Sequence, residues 1–159
     1  MKWYLKAMSQ YADFSGRARR TEYWMFTLYN IIFGFIAAIA DISTGLNFEN
    51  QQYGLFSSLY ALAVFIPGLA VAVRRLHDTG RSGKYIFLAL VPLAAVMLLM
   101  AMTLLIQDAE TQRFLLRNSA YVLIISTIII SIWLFVLFLL PGTNSDNQYG
   151  PDPKEEPLS

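Results

Sequence analysis

The stretch YIFLALVPLAAVMLLMAMTLLI runs from Tyr85 to Ile106, 22 residues without a charge. About 20 consecutive apolar residues in a helix cross the roughly 30 Å hydrocarbon core of a bilayer, so this stretch reads as a transmembrane span. Three more share its character. Ala120–Leu140 supplies 21 charge-free residues, Leu55–Val73 supplies 19 and Tyr23–Ala40 supplies 18. The last is short for a span and is expected to be completed by tilt or by its flanks. Together the four hold about half of the 159 residues, and they explain a composition that is 56% hydrophobic and 14% charged. An ordinary soluble domain carries roughly 25% charged residues, and a chain this small has too little interior to hide so much apolar surface. A soluble globule, a disordered chain and a fibrous repeat are excluded. The predicted fold is an all-α membrane protein of four transmembrane helices, 23–40, 55–73, 85–106 and 120–140, arranged as two hairpins in a single domain, residues 1–154.

The first 22 residues carry seven charges and no apolar run of signal-peptide type, so the first span is expected to be a retained anchor rather than a cleaved leader. Lysine and arginine then set direction. Ten of the twelve fall in segments 1–22, 74–84 and 141–159, and two, Arg113 and Arg117, in segment 107–119; segment 41–54 has none. The positive-inside rule puts both termini in the cytoplasm. Tyr23, Trp24, Tyr85 and Tyr121 stand where interfacial aromatic anchors belong. Net charge +1 is thus a sum of unlike parts: +3 for 1–22, +3 for 74–84 and −3 for the tail, with the outer segments at −2 and 0.

Residues 1–14 precede the first span with an amphipathic helical pattern. Tyr4, Met8 and Tyr11 share one face, and Lys2, Lys6, Ser9 and Asp13 the other. Two readings are open: an interfacial helix lying in the headgroup plane, or a helix docked on the bundle. Next comes Phe14-Ser-Gly-Arg-Ala-Arg-Arg-Thr-Glu-Tyr-Trp24. Ser15 is a candidate helix N-cap; Arg17 and Arg20 would then share a face, and Arg19 and Glu22 would pair at i, i+3. Glu22 opposes the charge bias and is expected to find a cation at its own depth, Arg74 or Arg75.

The densest polar segment is Arg74-Arg-Leu-His-Asp-Thr-Gly-Arg-Ser-Gly-Lys84. The second span continues helically to about Thr79, Gly80 takes the left-handed terminating position, and Arg74 pairs with Asp78 at i, i+4. A structural role covers most of this loop. The alternative is an anion or lipid-headgroup site, because guanidinium forks match phosphate oxygens. Arg17, Arg20, Glu22, Arg74, Arg75, His77, Asp78 and Arg81 form the candidate binding set, with Glu22, His77 and Asp78 ordering the arginines. The Gly80–Lys84 segment is not a phosphate loop: two residues separate its glycines where four are required, and no strand precedes it. With no cysteine and one histidine, neither a metal centre nor another cofactor is predicted.

Inside the spans no Asp, Glu, Lys, Arg or His occurs, which argues against a pump or proton-coupled transporter. Asn30 is expected to bond across helices. Gly34/Ala38, Ser57/Ala61 and Gly68/Ala72 are small-residue pairs that let helices approach, and Pro67 and Pro92 are candidate kinks. The tail 143–159 is rich in turn formers, is expected to be disordered at its end, and carries charge complementary to the loop 74–84, against which it is expected to dock.

Three motifs together resemble the YhaH-like family of small bacterial inner-membrane proteins, a domain of unknown function: Phe14–Trp24, Arg74–Gly83, and Pro141-Gly-Thr with Asn147-Gln-Tyr-Gly-Pro-Asp-Pro153. The resemblance covers most of the chain. It implies a bacterial inner-membrane location and a polytopic helical fold, and brings no activity, substrate, cofactor or functional residue with it.

The functional expectation is a non-enzymatic membrane factor with a basic cytoplasmic-face site for anionic phospholipid or a membrane-protein partner, a homo-oligomer included, and no role in nucleic-acid binding. The alternative is a membrane-embedded enzyme acting on a lipid headgroup, with His77 as general base and Asp78 as its orienter. A small channel or transporter ranks third.

Overall fold

The computed structural model describes residues 1–46, 54–103 and 105–154. Its helices are α1 (Lys2–Ser9), α2 (Arg20–Thr44), α3 (Leu55–Asp78), α4 (Val91–Thr103) and α5 (Ala109–Leu139), with a 3-10 helix, Gly83–Leu90, running into α4. No strand occurs among the described residues. Four helical segments are long and apolar enough to cross a membrane: α2, α3, Gly83–Thr103 and α5. The chain divides into two compact units, Met1–Gly83 with Pro141–Ser159, and Lys84–Leu140.

In the second unit α4 packs against α5, and Tyr85 meets Trp133 edge-on with ring centroids 5.5 Å apart. The 3-10 segment gives way to α-helix at Val91, which leaves Pro92 in the first turn of that helix. Proline is tolerated in a helix's first turn, where its missing N–H would have no partner within the helix. α5 starts well before its charge-free stretch, so Arg113 and Arg117 lie on a helix. Asp108 caps it, accepting from the Thr111 amide at 2.7 Å.

In the first unit α2 and α3 form an antiparallel hairpin clamped at its far end by Asp41. This buried carboxylate accepts from the amides of Phe56 (2.7 Å) and Ser57 (2.9 Å) and from the Ser57 hydroxyl. It satisfies donors that a helix N-terminus otherwise leaves unpaired. A side chain at Gly54 would collide with it. Midway, Tyr60 donates to Asn30 Oδ1 at 2.7 Å, the cross-helix bond expected of an amide in an apolar span.

α1 is docked on this hairpin. Tyr4 and Ala7 are buried with Phe26 and Val71. The Tyr4 ring stacks on Phe26 (5.4 Å) and meets Phe33 edge-on (5.2 Å). The helix therefore turns its aromatic face to protein. Met8 on the same stripe is half-buried, and the exposed Tyr11 donates to the Ala63 carbonyl at 2.8 Å.

Ser15 does not cap a helix. α2 begins at Arg20, and Ser15 donates its amide (2.9 Å) and hydroxyl (2.5 Å) to Asp13 Oδ1. These two bonds hold the Asp13 carboxyl below the usual carboxylate range. Gly16 has φ +74°, a left-handed conformation open to glycine, and this turn sends Arg17 off the helix into the interior.

Candidate functional site

The arginine-bearing end of the first unit is built from three segments: residues 13–22, the last turn of α3, and the tail. α3 ends in a Schellman motif. Gly80, at φ +75°, donates to the His77 carbonyl (2.9 Å) and Arg81 to that of Leu76 (3.0 Å), satisfying the carbonyls the helix leaves open. Segment 13–22 is stitched to this turn by the Ala18 amide on the Arg74 carbonyl (3.0 Å) and by His77 Nδ1 donating to the Gly16 carbonyl (3.1 Å).

Two buried ion-pair groups sit here. In the first, Asp78 receives Arg17 Nε and Nη2 on Oδ1, each at 3.1 Å, and Arg75 Nη1 on Oδ2. In the second, Glu22 lies 3.4 Å from Arg74 Nη2 and 3.4 Å from Lys6 Nζ, while Arg74 Nη1 donates to Gln10. The side chains of Arg17, Glu22, Arg74 and Arg75 are at most 2% exposed, and that of Lys6 is 34%. Burying charges costs several kcal/mol per ion unless they are paired. In each cluster the opposite charges offset one another's desolvation, so a charge left without its counterpart would be stranded.

The tail closes over the first cluster. Arg17 donates to the carbonyls of Thr143 (2.6 Å), Ser145 (2.8 Å) and Gly150 (3.3 Å). Thr143 returns its amide to the Asp78 carbonyl (2.9 Å), and Asn147 Nδ2 reaches the His77 carbonyl (3.0 Å). Asn147 and Gly150 exchange backbone bonds across a tight turn that lays the Tyr149 ring flat on His77, 3.8 Å between centroids and 1° from parallel. A side chain at Gly142 would strike the Asp78 carboxylate.

Beside these clusters lies a cavity of about 240 Å³ lined by Arg19, Arg20, Thr21, Asp78, Gly142, Pro153 and Lys154. It adjoins the first turn of α2, which no side chain caps, so the positive end of the helix dipole adds to three cationic side chains. Arg19 Nε donates to the Pro153 carbonyl, and its guanidinium lies 5.7 Å from the Trp3 ring.

Residues 11–151 match the DUF805 family, described as proteins of unknown function. The chain belongs to the DUF805 family. It is 38% identical over 154 residues to the inner membrane protein YhaI of Escherichia coli strain K12, covering 97% of each chain. It is 35% identical over 159 residues to the inner membrane protein YhaH of the same strain, covering 99% of this chain and all of the relative. The uncharacterized protein YiiR of that strain is 28% identical over 143 residues. No solved structure matches. The four apolar helices and these relatives make the chain an inner-membrane protein of the DUF805 family, as the resemblance implied.

The DUF805 chain brings seven of the eight predicted site residues to this end through side chains and gives several of them unforeseen partners. Glu22 pairs with Arg74, as its depth required, and with Lys6 rather than Arg19. Asp78 takes Arg75 and Arg17 in place of Arg74. The eighth, Arg81, is half-buried and closes the α3 terminus through its amide, its guanidinium 3.5 Å from the Thr79 carbonyl. His77 sits against Gly16 and Tyr149, and the hydrogen bonds of the Asp78 oxygens run to guanidinium groups. Of the predicted arginines, only Arg20 lines the cationic cavity. Arg19 and Lys154, which join it there, lay outside the candidate binding set; an Arg-Arg pair at a helix start was the available signal. Among the described residues no group of three His, Asp or Glu side chains is placed to hold a metal.

Proposed function

We propose that this protein is a non-enzymatic inner-membrane factor that holds the phosphate of an anionic lipid headgroup at the cytoplasmic face. The single supporting observation is the cavity where Arg19, Arg20 and Lys154 converge beside the start of α2, with Asp78 already committed to Arg17 and Arg75. Guanidinium groups engage phosphate oxygens through charge-assisted, fork-shaped hydrogen bonds, and interfacial cations attract the anionic leaflet at about 1 kcal/mol each. The buried arginines build the platform, and the cavity cations meet the ligand. The basic face points to the cytoplasm under the positive-inside rule; reporter fusions at Asp108 and Lys154 are expected to read outside and inside respectively.

Thermal unfolding of detergent-solubilised protein tests the reading. A ligand bound by the folded state alone stabilises it by mass action. Phosphatidylglycerol is expected to raise the midpoint in a salt-sensitive way and phosphatidylcholine to leave it in place. Arg19→Ala with Arg20→Ala removes the rise. Equal shifts with both lipids would contradict the reading.

A further inference from the structure

Pro67 interrupts the hydrogen-bond ladder of α3, and the repair comes from outside the helix. Proline has no N–H, so the Ala63 carbonyl, four residues earlier, loses the donor that an α-helix would give it. Both residues lie within the charge-free span 55–73. No water serves a backbone group at such a depth, and each one left open is costly. The Tyr11 hydroxyl donates to this carbonyl at 2.8 Å. The preceding residue, Gln10, holds α3 on the other side of the proline, where its Oε1 accepts from Arg74 Nη1. Arg74 stands eleven residues after Ala63, about 16 Å along the helix, with Pro67 between them. Two successive residues thus straddle the proline rung.

Gln10 and Tyr11 move with α1. The Gln10 amide donates to the Lys6 carbonyl at 3.2 Å, continuing the helix into this pair. α1 in turn is fixed by Tyr4 and Ala7 in the aromatic cluster, by the Tyr4 hydroxyl 3.4 Å from that of Tyr60, and by Lys6 against Glu22. We infer that Gln10 and Tyr11 form a brace across a proline hinge in α3, so that docking of α1 decides whether α3 can bend at Pro67. With α1 docked, the tyrosine hydroxyl stands in for the missing amide, and the two halves of α3 are tied to one short segment. With α1 released, the Ala63 carbonyl is open and the helix flexes where proline already weakens it. The brace links the Glu22–Arg74 cluster to the middle of the span, and it stands apart from the headgroup reading above.

The chain has no cysteine, so introduced thiols report on the full-length protein without background. Ala7 is fully buried under the docked helix. The rate at which Ala7→Cys reacts with a membrane-permeant maleimide in mild detergent therefore measures release of α1. Tyr11→Phe deletes only the hydroxyl and should speed labelling about fivefold, the equivalent of one hydrogen bond. Pro67→Ala restores an amide that can bond to Ala63 whether or not α1 is docked. In that background Tyr11→Phe should change the rate by less than about twofold, the non-additivity of two groups that share one partner. Tyr4→Phe, whose hydroxyl faces Tyr60, should act alike in both backgrounds. Bending is read from the distance between spin labels at Leu59→Cys and Thr79→Cys, on either side of the proline. Wild type should give one narrow distribution, and Tyr11→Phe and Gln10→Ala a broader one that reaches shorter distances. Pro67→Ala should stay narrow with or without Tyr11→Phe. If Tyr11→Phe speeds labelling equally in both backgrounds, the hydroxyl does not replace the proline's amide and the inference is overturned. If the distribution stays narrow in Tyr11→Phe and Gln10→Ala, the pair controls no hinge and the inference is equally overturned. Should Pro67→Ala fail to fold, those two distributions decide alone.

Discussion

Arg17 and Asp78, 61 residues apart in sequence, meet as a buried ion pair at 3.1 Å, and Arg75 holds the other oxygen of the same carboxylate. One acid thus organises two guanidinium groups and, through Arg17, the carbonyls of the tail. Asp78→Ala is expected to destabilise the protein by about 3–5 kcal/mol, the cost of leaving a buried charge without its partner. Thermal unfolding in detergent measures this. A shift no larger than that of a surface substitution would show that the cluster is hydrated and exchangeable.

Burial, rather than charge count, decides what each basic residue contributes. Arg74 and Lys6 both lie 3.4 Å from Glu22, but Lys6 is 34% exposed and Arg74 is buried. Lys6→Ala should cost no more than about 1 kcal/mol, as exposed pairs do. Arg74→Ala should cost several times that, because Glu22 would remain behind desolvated. Equal effects in the two variants would mean that Glu22 is not enclosed.

The tail is fastened by a ring on a ring. Tyr149→Ala removes the stack on His77, worth about 0.5–1.5 kcal/mol beyond burial, whereas Tyr149→Phe keeps it. Limited proteolysis should therefore cut residues 143–154 faster in the alanine variant and at the wild-type rate in the phenylalanine variant. Ending the chain at Gly142 should also expose the 74–84 turn to protease. Unchanged cutting there would show that the tail does not cover it.

At the opposite end of the hairpin, Asp41→Ala deletes a helix cap supplied by the neighbouring helix. The expected loss is about 1–2 kcal/mol, in the range of N-cap removals, with Asp41→Asn recovering part of it. Hydrogen exchange at the Phe56 and Ser57 amides should accelerate in Asp41→Ala; unchanged protection would contradict the capping geometry.

How far the sequence reached depends on what each contact is made of. Spans are legible because a bilayer demands long charge-free helices, and the chain has four. The Glu22–Arg74 pair is legible because both residues stand at span ends on the same face of the membrane. The partners of Asp78 are not. The i, i+4 rule assumes an exposed helix, whereas Arg74 is drawn away to buried Glu22 and Arg17 arrives through a left-handed turn at Gly16. The tail illustrates a deeper limit. Its charge suggested docking by ion pairs, yet it docks through backbone carbonyls on Arg17 and an aromatic stack. Carbonyls belong to every residue, so their use leaves no mark in the sequence. The cap by Asp41 left a weak one: an acid in the last turn of a helix opposes the dipole and so calls for donors from elsewhere.

The central claim, that an anionic lipid is held beside Arg19, Arg20 and Lys154, is tested most directly by native mass spectrometry of protein gently extracted from its membrane. Wild type should retain a stoichiometric anionic phospholipid at collision energies that strip zwitterionic lipid, and the Arg19→Ala, Arg20→Ala protein should lose it. Retention of anionic lipid to the same extent in wild type and variant, or by neither, would contradict the account.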